Sequence, residues 1–312
     1  MCLVSFSKKK YYNSLDKINK FQGSPTWGYI DITNACNHFC PWCYNGKPQN
    51  PIFMKLNDFK NILIKFSDIG IYQITITGGE PTLHPEFKKF VKSAKKFNLH
   101  IASNGDFISD KLAGFLAENN VKQVQFNFQG SRFHDKIHNV KGCYEKLKKS
   151  VDNVLKSGIS AVTMTTIGDY LINFIDEIFR EADELGIERI RVWEAAGKFG
   201  TDWMTNKDIK SIFEKCRFEA EKLGFIHSLS YEPLFDGDVN FKCPQLQNLI
   251  LSVKTDGRIT CGVAETVFDN TITNIFETET NEILKKYRAF NKKILGKKKA
   301  FCFARCSRKL IF

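Results

Sequence analysis

Apolar and polar residues follow two alternating patterns along the chain. Gln73–Thr77 (QITIT) is typical of a strand, whereas apolar residues recur at helical spacing across residues 56–66. The same alternation predicts six strand–helix units between residues 27 and 224. The predicted strands are 28–32, 73–77, 100–102, 121–128, 161–167 and 189–193. The predicted helices are 56–66, 86–97, 110–118, 144–155, 171–185 and 206–223.

Repeated strand–helix units predict an α/β fold in which a parallel sheet carries helices on its outside. Six units are too few for a complete eight-unit barrel, so periodicity leaves an open doubly wound sheet or a partial barrel. After residue 224 the pattern changes: a hairpin with an Asp256-Gly257 turn is predicted over 248–260, and a helix over 280–290. We therefore expect an N-terminal extension (1–26), a main domain (27–224) and a C-terminal subdomain (225–312).

The composition is that of a globular protein, with 43% hydrophobic and 26% charged residues in a chain of 312. No apolar run approaches the ~20 residues of a membrane span, and the first residues lack the order of a secretory signal. These features predict a cytoplasmic protein with no membrane partner. The net charge is +12, with lysines spread along helices and termini. Without a base-reading motif, this charge predicts a solvated surface rather than nucleic-acid binding.

Ten cysteines are too dilute for a disulfide scaffold, and in a reducing compartment clustered cysteines more often hold metal. Cys36, Cys40 and Cys43 form a C-x3-C-x2-C cluster directly after the first predicted strand. Soft thiolates favour an iron–sulfur cluster or zinc. Zinc would usually take a fourth ligand, for which His38 is the nearby candidate. Three ligands on a cluster would instead leave one iron with an open position.

The cysteine cluster resembles that of the radical S-adenosylmethionine (radical SAM) superfamily, with the aromatic Trp42 before the third cysteine. At the end of the second strand, Gly-Gly-Glu-Pro at 78–81 (the GGEP segment) resembles a second motif of the family. Ser-Asn-Gly at 103–105 resembles the family's next loop. The fourth strand ends in a segment similar to the family's Ser-x-Asp-Gly, with Gln129 in place of aspartate. The resemblance spans roughly residues 27–195 and implies a partial (β/α)6 barrel.

The resemblance also implies the chemistry. Cys36, Cys40 and Cys43 would hold a [4Fe-4S] cluster whose open iron chelates SAM. One electron from the cluster would cleave SAM to methionine and a 5′-deoxyadenosyl radical, which removes a hydrogen atom from the substrate. The residues implied in SAM binding are Trp42 near the adenine, Gly78, Gly79 and Glu80 at the ammonium group, Pro81 at the bend, Ser103, Asn104 and Asn127 at the carboxylate or ribose, and Gln129 in place of the family's aspartate.

A second set of cysteines, in the predicted C-terminal subdomain, resembles the SPASM and twitch subdomains of the same superfamily. Cys243 and Cys261 flank Gly257 at a spacing close to that which opens such subdomains, and Cys302 with Cys306 would complete four ligands. The resemblance implies an auxiliary [4Fe-4S] cluster closed by four thiolates, with a structural zinc site as the alternative.

The relatives with auxiliary clusters imply a peptide or protein side chain as substrate, as in ribosomal peptide maturases. Small-molecule dehydrogenation or epimerisation, cofactor biosynthesis and RNA modification are the alternatives. About 26 residues precede the first strand, too few for a fused leader-binding domain, so a separate leader-peptide-binding protein is expected. The basic surface would suit an acidic peptide or a reductant such as flavodoxin or ferredoxin.

Overall fold

Nine strands form one sheet in the computed structural model, which describes residues 24–43, 45, 48–167, 169–194, 206–224, 250–260 and 271–295. The strands are β1 (Trp27–Asp31), β2 (Gln73–Thr77), β3 (Asn98–Ser103), β4 (Val121–Asn127), β5 (Ser160–Ile167), β6 (Arg189–Glu194), β7 (Ile250–Val253), β8 (Arg258–Thr260) and β9 (Thr271–Asn274). Their order across the sheet is β6-β5-β4-β3-β2-β1-β7-β8-β9, so the sheet is not closed.

Eight α-helices lie in the described part of the chain. They are α1 (Leu56–Ile69), α2 (Phe87–Ala94), α3 (Asp110–Glu118), α4 (Gly130–His138), α5 (Cys143–Lys156), α6 (Ile175–Glu184), α7 (Asn206–Lys222) and α8 (Thr280–Leu295). Short 3-10 turns occur at Pro81–Leu83 and Asp169–Phe174. The sequence pattern did not predict α4 or β9. No helix among the described residues is long and apolar enough to cross a membrane.

The first six strands run parallel, each paired with the next along the chain. Arg191 on β6 reaches Trp27 on β1, and the guanidinium carbon lies 5.4 Å from the centre of the indole ring. This contact between the first and sixth strands shows that the sheet curves. This architecture confirms the predicted α/β fold, a partial (β/α)6 barrel. The carboxyl ends of its strands meet at one edge, where the predicted motifs follow β1 to β4.

The helix-facing side of the sheet is apolar. Ile30, Ile74, Ile101 and Val124, one from each of the first four strands, are fully buried in the core. Phe66 of α1 packs against β1 so closely that only a glycine fits opposite its ring, at position 28. Each such buried side chain contributes roughly 1.5–3 kcal/mol, so this layer holds the strand–helix units together.

The inner face of the sheet is polar in contrast. Trp27 Nε1 donates to Thr75 Oγ1 over 2.9 Å, and the Trp27 ring stacks on Tyr29 with centres 5.0 Å apart. Burial raises the pKa of Tyr29, although Arg191 opposes the shift. Burial and the nearby Arg191 lower the pKa of His100 to about 4. A barrel interior lined by such hydrogen-bonding groups suits a polar occupant.

The predicted hairpin is present as β7 and β8. β7 pairs in parallel with β1, placing Ser252 opposite Tyr29, so the hairpin continues the sheet of the predicted main domain. Lys254, in the hairpin turn, forms a buried ion pair with Asp31 at the end of β1, with 3.1 Å between Nζ and Oδ2. This pair ties the hairpin to β1, which leads into the loop that carries Cys36, Cys40 and Cys43 (the cysteine loop). The domain limits themselves stay predictions.

Candidate active site

The cysteine loop continues the pairing of β1 with β2 for a few residues. Gly79 N donates to Thr33 O over 2.8 Å, and Glu80 N donates to Ala35 O over 2.7 Å. These main-chain bonds hold the start of the loop against the GGEP segment. They bring Cys36, the next residue of the loop, close to Glu80.

Both glycines of the GGEP segment are needed for this approach. Gly78 has a φ of +144°, and a Cβ there would lie 2.1 Å from Thr33 O. A Cβ on Gly79 would lie 2.2 Å from Ala35 O. Both contacts are with main chain, which cannot move aside without breaking the bonds just described. Pro81, buried, then starts a 3-10 turn. The glycine pair therefore positions the cysteine loop. This role is in addition to the contact with SAM that the resemblance implies for the same residues.

Glu80 is fully buried and accepts hydrogen bonds from two loops. Ser103 Oγ lies 3.0 and 3.1 Å from its two carboxyl oxygens, and Asn104 N donates over 2.7 Å. Thr82 donates from both its main-chain N and its Oγ1. Burial raises the pKa of Glu80, although these donors oppose the shift. The structure thus brings three predicted SAM-binding residues together at the carboxyl ends of β2 and β3.

Cys36, Cys40 and Cys43 are partly buried and form no disulfide. Burial raises the pKa of Cys36 to about 11 and raises that of Cys40 further, and neighbouring thiols add to both shifts. A metal centre bound by these thiols would deprotonate them. Three soft donors on one short loop fit an iron–sulfur cluster with one iron left open.

Two histidines, His38 and His138, lie beside Cys40, and the sequence analysis did not predict that His138 belongs to the site. His138 Nδ1 lies 3.1 Å from Cys40 Sγ and 3.1 Å from His38 Nδ1. His38 Nε2 in turn lies 3.3 Å from Asp106 Oδ2. His138 belongs to the unpredicted helix α4, one turn after His134. The i, i+4 spacing of these two histidines was the signal available in the sequence.

The same side chains offer an alternative metal site. One ligand atom each from His38, Cys40 and His138 lies within 4.8 Å of the others, as a zinc ion requires. Because this set and the three-thiol set share Cys40, the two sites exclude each other. The iron and zinc contents of the purified protein distinguish them.

Asp106 joins the loop after β3 to the cysteine loop. Asn37 Nδ2 donates to Asp106 Oδ2 over 2.7 Å, while Asn37 Oδ1 accepts from Asn104 Nδ2 over 2.8 Å. Lys146 on α5 forms an ion pair with Asp106 at 3.2 Å. Burial on its own would raise the pKa of Asp106, but the hydrogen bonds with His38 and Lys146 hold this pKa below its usual value. The cysteine loop is therefore fixed to the β3 loop by an ionised, buried carboxylate.

The remaining predicted SAM-binding residues lie around this cluster. Gln129 is fully buried, and its amide lies 3.0 Å from Asn127 Oδ1 and 2.9–3.0 Å from the main chain of Thr166 on β5. Trp42 lies edge-on to His138, with ring centres 6.4 Å apart. Gln129 thus ties β4 to β5, and Trp42 packs on the helix that the sequence pattern missed.

Two further cysteines in the described residues are buried. Cys143 Sγ donates to Asp135 Oδ1 over 3.3 Å, and Cys216 is buried in α7. Burial raises the pKa of each to about 12, so neither is a reactive thiolate. The predicted ligands of the auxiliary cluster lie outside the described residues: Cys243, Cys261, Cys302 and Cys306.

The family comparison agrees with this geometry. Residues 30–182 match the model of the radical SAM superfamily. Over this segment the chain is similar to radical SAM proteins. The matched segment begins on β1 and ends within α6, so it contains the cysteine loop, the GGEP segment and the loops after β3 and β4.

Two curated proteins resemble parts of the chain. The sporulation killing factor maturation protein SkfB of Bacillus subtilis is 26% identical over 162 residues, which are 50% of this chain and 39% of SkfB. A GTP 3′,8-cyclase of Clostridium perfringens is 24% identical over 201 residues, 60% of this chain and 61% of the cyclase. The chain therefore spans less than two thirds of the length of these relatives.

Solved structures resemble this chain in fold. Streptococcus suis SuiB bound to the precursor peptide SuiA superposes with a TM-score of 0.70 at 15% identity. The superposition covers 90% of this chain and 70% of SuiB. At this identity the likeness shows the fold alone, and it agrees with the partial barrel described above.

Proposed function

We propose that this protein is a radical SAM enzyme, in which Cys36, Cys40 and Cys43 hold a [4Fe-4S] cluster. The observation that carries the proposal is the set of three partly buried thiols on a loop that is hydrogen bonded to the GGEP segment. When bound and reduced, such a cluster supplies the electron that cleaves SAM to methionine and a 5′-deoxyadenosyl radical.

The residues around the cysteine loop would bind and orient SAM. Glu80 is a fully buried carboxyl group with a raised pKa, and a cation beside it would stabilise its ionised form. The ammonium group of SAM would supply that cation. Ser103 and Asn104 donate hydrogen bonds to this carboxylate and hold it in place. The side-chain amides of Asn127 and Gln129 lie at the end of the next strand, β4. Trp42, on the cysteine loop, would pack near the adenine.

The substrate we propose is a peptide or protein side chain. In support, SkfB is named as a maturation protein and SuiB was crystallised with a precursor peptide. The polar inner face around Trp27, Tyr29, His100 and Arg191 offers hydrogen-bonding groups that a peptide could use. A separate leader-peptide-binding protein, a flavodoxin or ferredoxin as reductant, and a cytoplasmic location belong to the same proposal.

A small-molecule reaction of the cofactor-biosynthesis type is the second candidate. It is favoured by the similarity to GTP 3′,8-cyclase, which extends over more of this chain than the similarity to SkfB does. Transfer of deuterium from a labelled candidate substrate into 5′-deoxyadenosine would decide between a peptide and a nucleotide.

We also propose an auxiliary [4Fe-4S] cluster held by Cys243, Cys261, Cys302 and Cys306. The support is the hairpin β7–β8, which lies in the chain between the first two of these cysteines and is fastened to the barrel edge by its pairing with β1. Iron analysis tests it. Protein with both clusters holds about eight irons per chain, and replacing Cys243 and Cys261 with alanine should leave about four.

Reductive cleavage of SAM tests the main proposal. Protein reconstituted anaerobically with iron and sulfide, then given SAM and dithionite, should produce 5′-deoxyadenosine, detected by mass spectrometry. The Cys40→Ala variant should produce none, whereas Cys216→Ala, which alters a buried thiol in α7, should match the native protein. Native protein that is fully loaded with iron but leaves SAM intact would contradict the proposal.

A further inference from the structure

A run of buried side chains ends at one sulfur of the cysteine loop. Asp106 Oδ2 lies 3.3 Å from His38 Nε2, and His38 Nδ1 lies 3.1 Å from His138 Nδ1. The same His138 nitrogen lies 3.1 Å from Cys40 Sγ. We call Asp106, His38 and His138 the imidazole chain. His38 and His138 are only 6% and 1% exposed, so water does not compete for these contacts.

The chemistry of Cys40 settles where the protons of the imidazole chain lie. A metal-bound thiolate has no proton, so a ring nitrogen beside it makes a hydrogen bond only when that nitrogen carries the proton. With a metal on Cys40, His138 Nδ1 would therefore be the donor, with Cys40 Sγ and His38 Nδ1 as the two acceptors beside it. The proton of His38 would then lie on Nε2, which is 3.3 Å from Asp106 Oδ2.

The ring of His138 is held in this position from several sides. The main chain of the cysteine loop is bonded to that of α4, since Phe39 N donates to His138 O over 2.9 Å. The ring of His134 packs on that of His138 with centres 4.2 Å apart, and Trp42 lies against its edge. The donor is therefore held beside Cys40 in this structure by contacts that involve no metal.

A hydrogen bond to a cluster sulfur stabilises the more negative, reduced state and so raises the reduction potential. We propose that His138 is a positioning residue that donates its Nδ1 proton to Cys40 and thereby sets the reduction potential of the SAM-binding cluster. His38 and Asp106 keep His138 in the tautomer that can donate. This inference rests on the proposed function, because it needs a cluster on Cys40.

The test is a set of three variants studied by redox titration with EPR detection. His138→Leu removes the donor, and His138→Asn keeps an N–H group at the place of Nδ1. Ile137→Val is the matched control, because Ile137 is buried in the same helix and has no polar side-chain atom to offer a cysteine sulfur. To isolate the first cluster, all carry alanine at the four auxiliary cysteines.

We expect the midpoint potential of His138→Leu to be more negative than that of the native cluster. His138→Asn should stay closer to the native value, and Ile137→Val should match it. If His138→Leu binds no iron while His138→Asn and Ile137→Val do, the donor is needed to hold Cys40, which also supports the inference. Equal potentials in His138→Leu and the native protein would overturn it, and so would an equal shift or loss of iron in Ile137→Val.

Failure of this inference is distinguishable from failure of the proposed function. An unchanged potential in His138→Leu, with SAM cleavage intact in the native protein, overturns only the role of His138. Native protein that binds zinc, and loses it when His38 or His138 is replaced, overturns both, because the imidazoles would then be metal ligands.

Discussion

At the scale of single residues, the site depends on contacts between main-chain atoms that only glycine allows. The amides of Gly79 and Glu80 reach the carbonyls of Thr33 and Ala35, and this contact sets the distance between the cysteine loop and the buried carboxylate. The GGEP segment thus joins two loops, in addition to any ligand that its atoms bind. Changes here should affect metal binding and stability together.

Replacing Gly79 with alanine should weaken both properties. The added Cβ would meet main-chain oxygen at 2.2 Å, and we expect the free energy of unfolding to fall by about 1–3 kcal/mol and iron loading to fall with it. Gly114→Ala in α3 is the control. Its Cβ would have no neighbour within 4 Å, and a helical glycine replaced by alanine should gain about 0.5–1 kcal/mol. Urea unfolding and iron analysis measure the two effects, and a native-like Gly79→Ala would contradict the account.

His100 should make stability depend on pH. Its pKa is about 4 in the folded protein against 6.5 for a free histidine, so the unfolded chain binds the proton first as the pH falls. Stability is therefore full above about pH 6.5 and decreases down to about pH 4. Between pH 7 and pH 5 the free energy of unfolding should fall by about 2 kcal/mol on this account. In urea titrations, His100→Gln should lose about that much less than the native protein; equal losses would refute the assignment.

At the scale of helices and strands, most elements follow from the local pattern, and the exceptions have physical causes. The helix predicted over 110–118 is observed as Asp110–Glu118. Helix α4 (GSRFHDKIH) was missed because its buried face includes His134 and His138, which a hydrophobic pattern counts as polar. That omission concealed the contact with Cys40. Strand β9 has only four residues, none fully buried, and offers too little pattern to find.

The buried ion pair between the hairpin and β1 gives a prediction at this scale. Lys254→Met would remove the cation that lies 3.1 Å from the buried Asp31 carboxylate, and we expect a loss of about 3–5 kcal/mol in urea unfolding. The double variant Asp31→Asn with Lys254→Met should recover a large part of that loss. As a control, Lys285→Ala breaks an exposed pair with Glu282 and should cost less than about 1 kcal/mol. A Lys254→Met loss no larger than the control would show that the pair does not fasten the hairpin.

At the scale of the whole molecule, the sequence could predict the six units and the site motifs because each is encoded by consecutive residues. It could not predict that β7 would pair with β1, since those strands lie over 200 residues apart in the chain. Nor could it predict the contact of Arg191 with Trp27 across the curved sheet. Long-range pairings of this kind depend on packing geometry that no local pattern records.

The charge of the whole chain leads to a prediction about its reductant. With a net charge of +12, association with an acidic flavodoxin should weaken as salt screens the attraction. Raising NaCl from 0.05 to 0.5 M should lower the rate of 5′-deoxyadenosine formation driven by reduced flavodoxin by roughly tenfold. The rate driven by dithionite at saturating concentration is the control and should change little. Equal salt dependence of both rates would argue against electrostatic docking of the reductant.

The central claim is that three thiols of one loop hold a cluster with one iron open to SAM. EPR spectra of the dithionite-reduced protein test it most directly, recorded with and without SAM on a variant in which Cys243, Cys261, Cys302 and Cys306 are all alanine. The account predicts about four irons per chain and a cluster signal that changes when SAM is added. Protein that holds zinc in place of iron, or a cluster signal that SAM leaves unchanged, would contradict it.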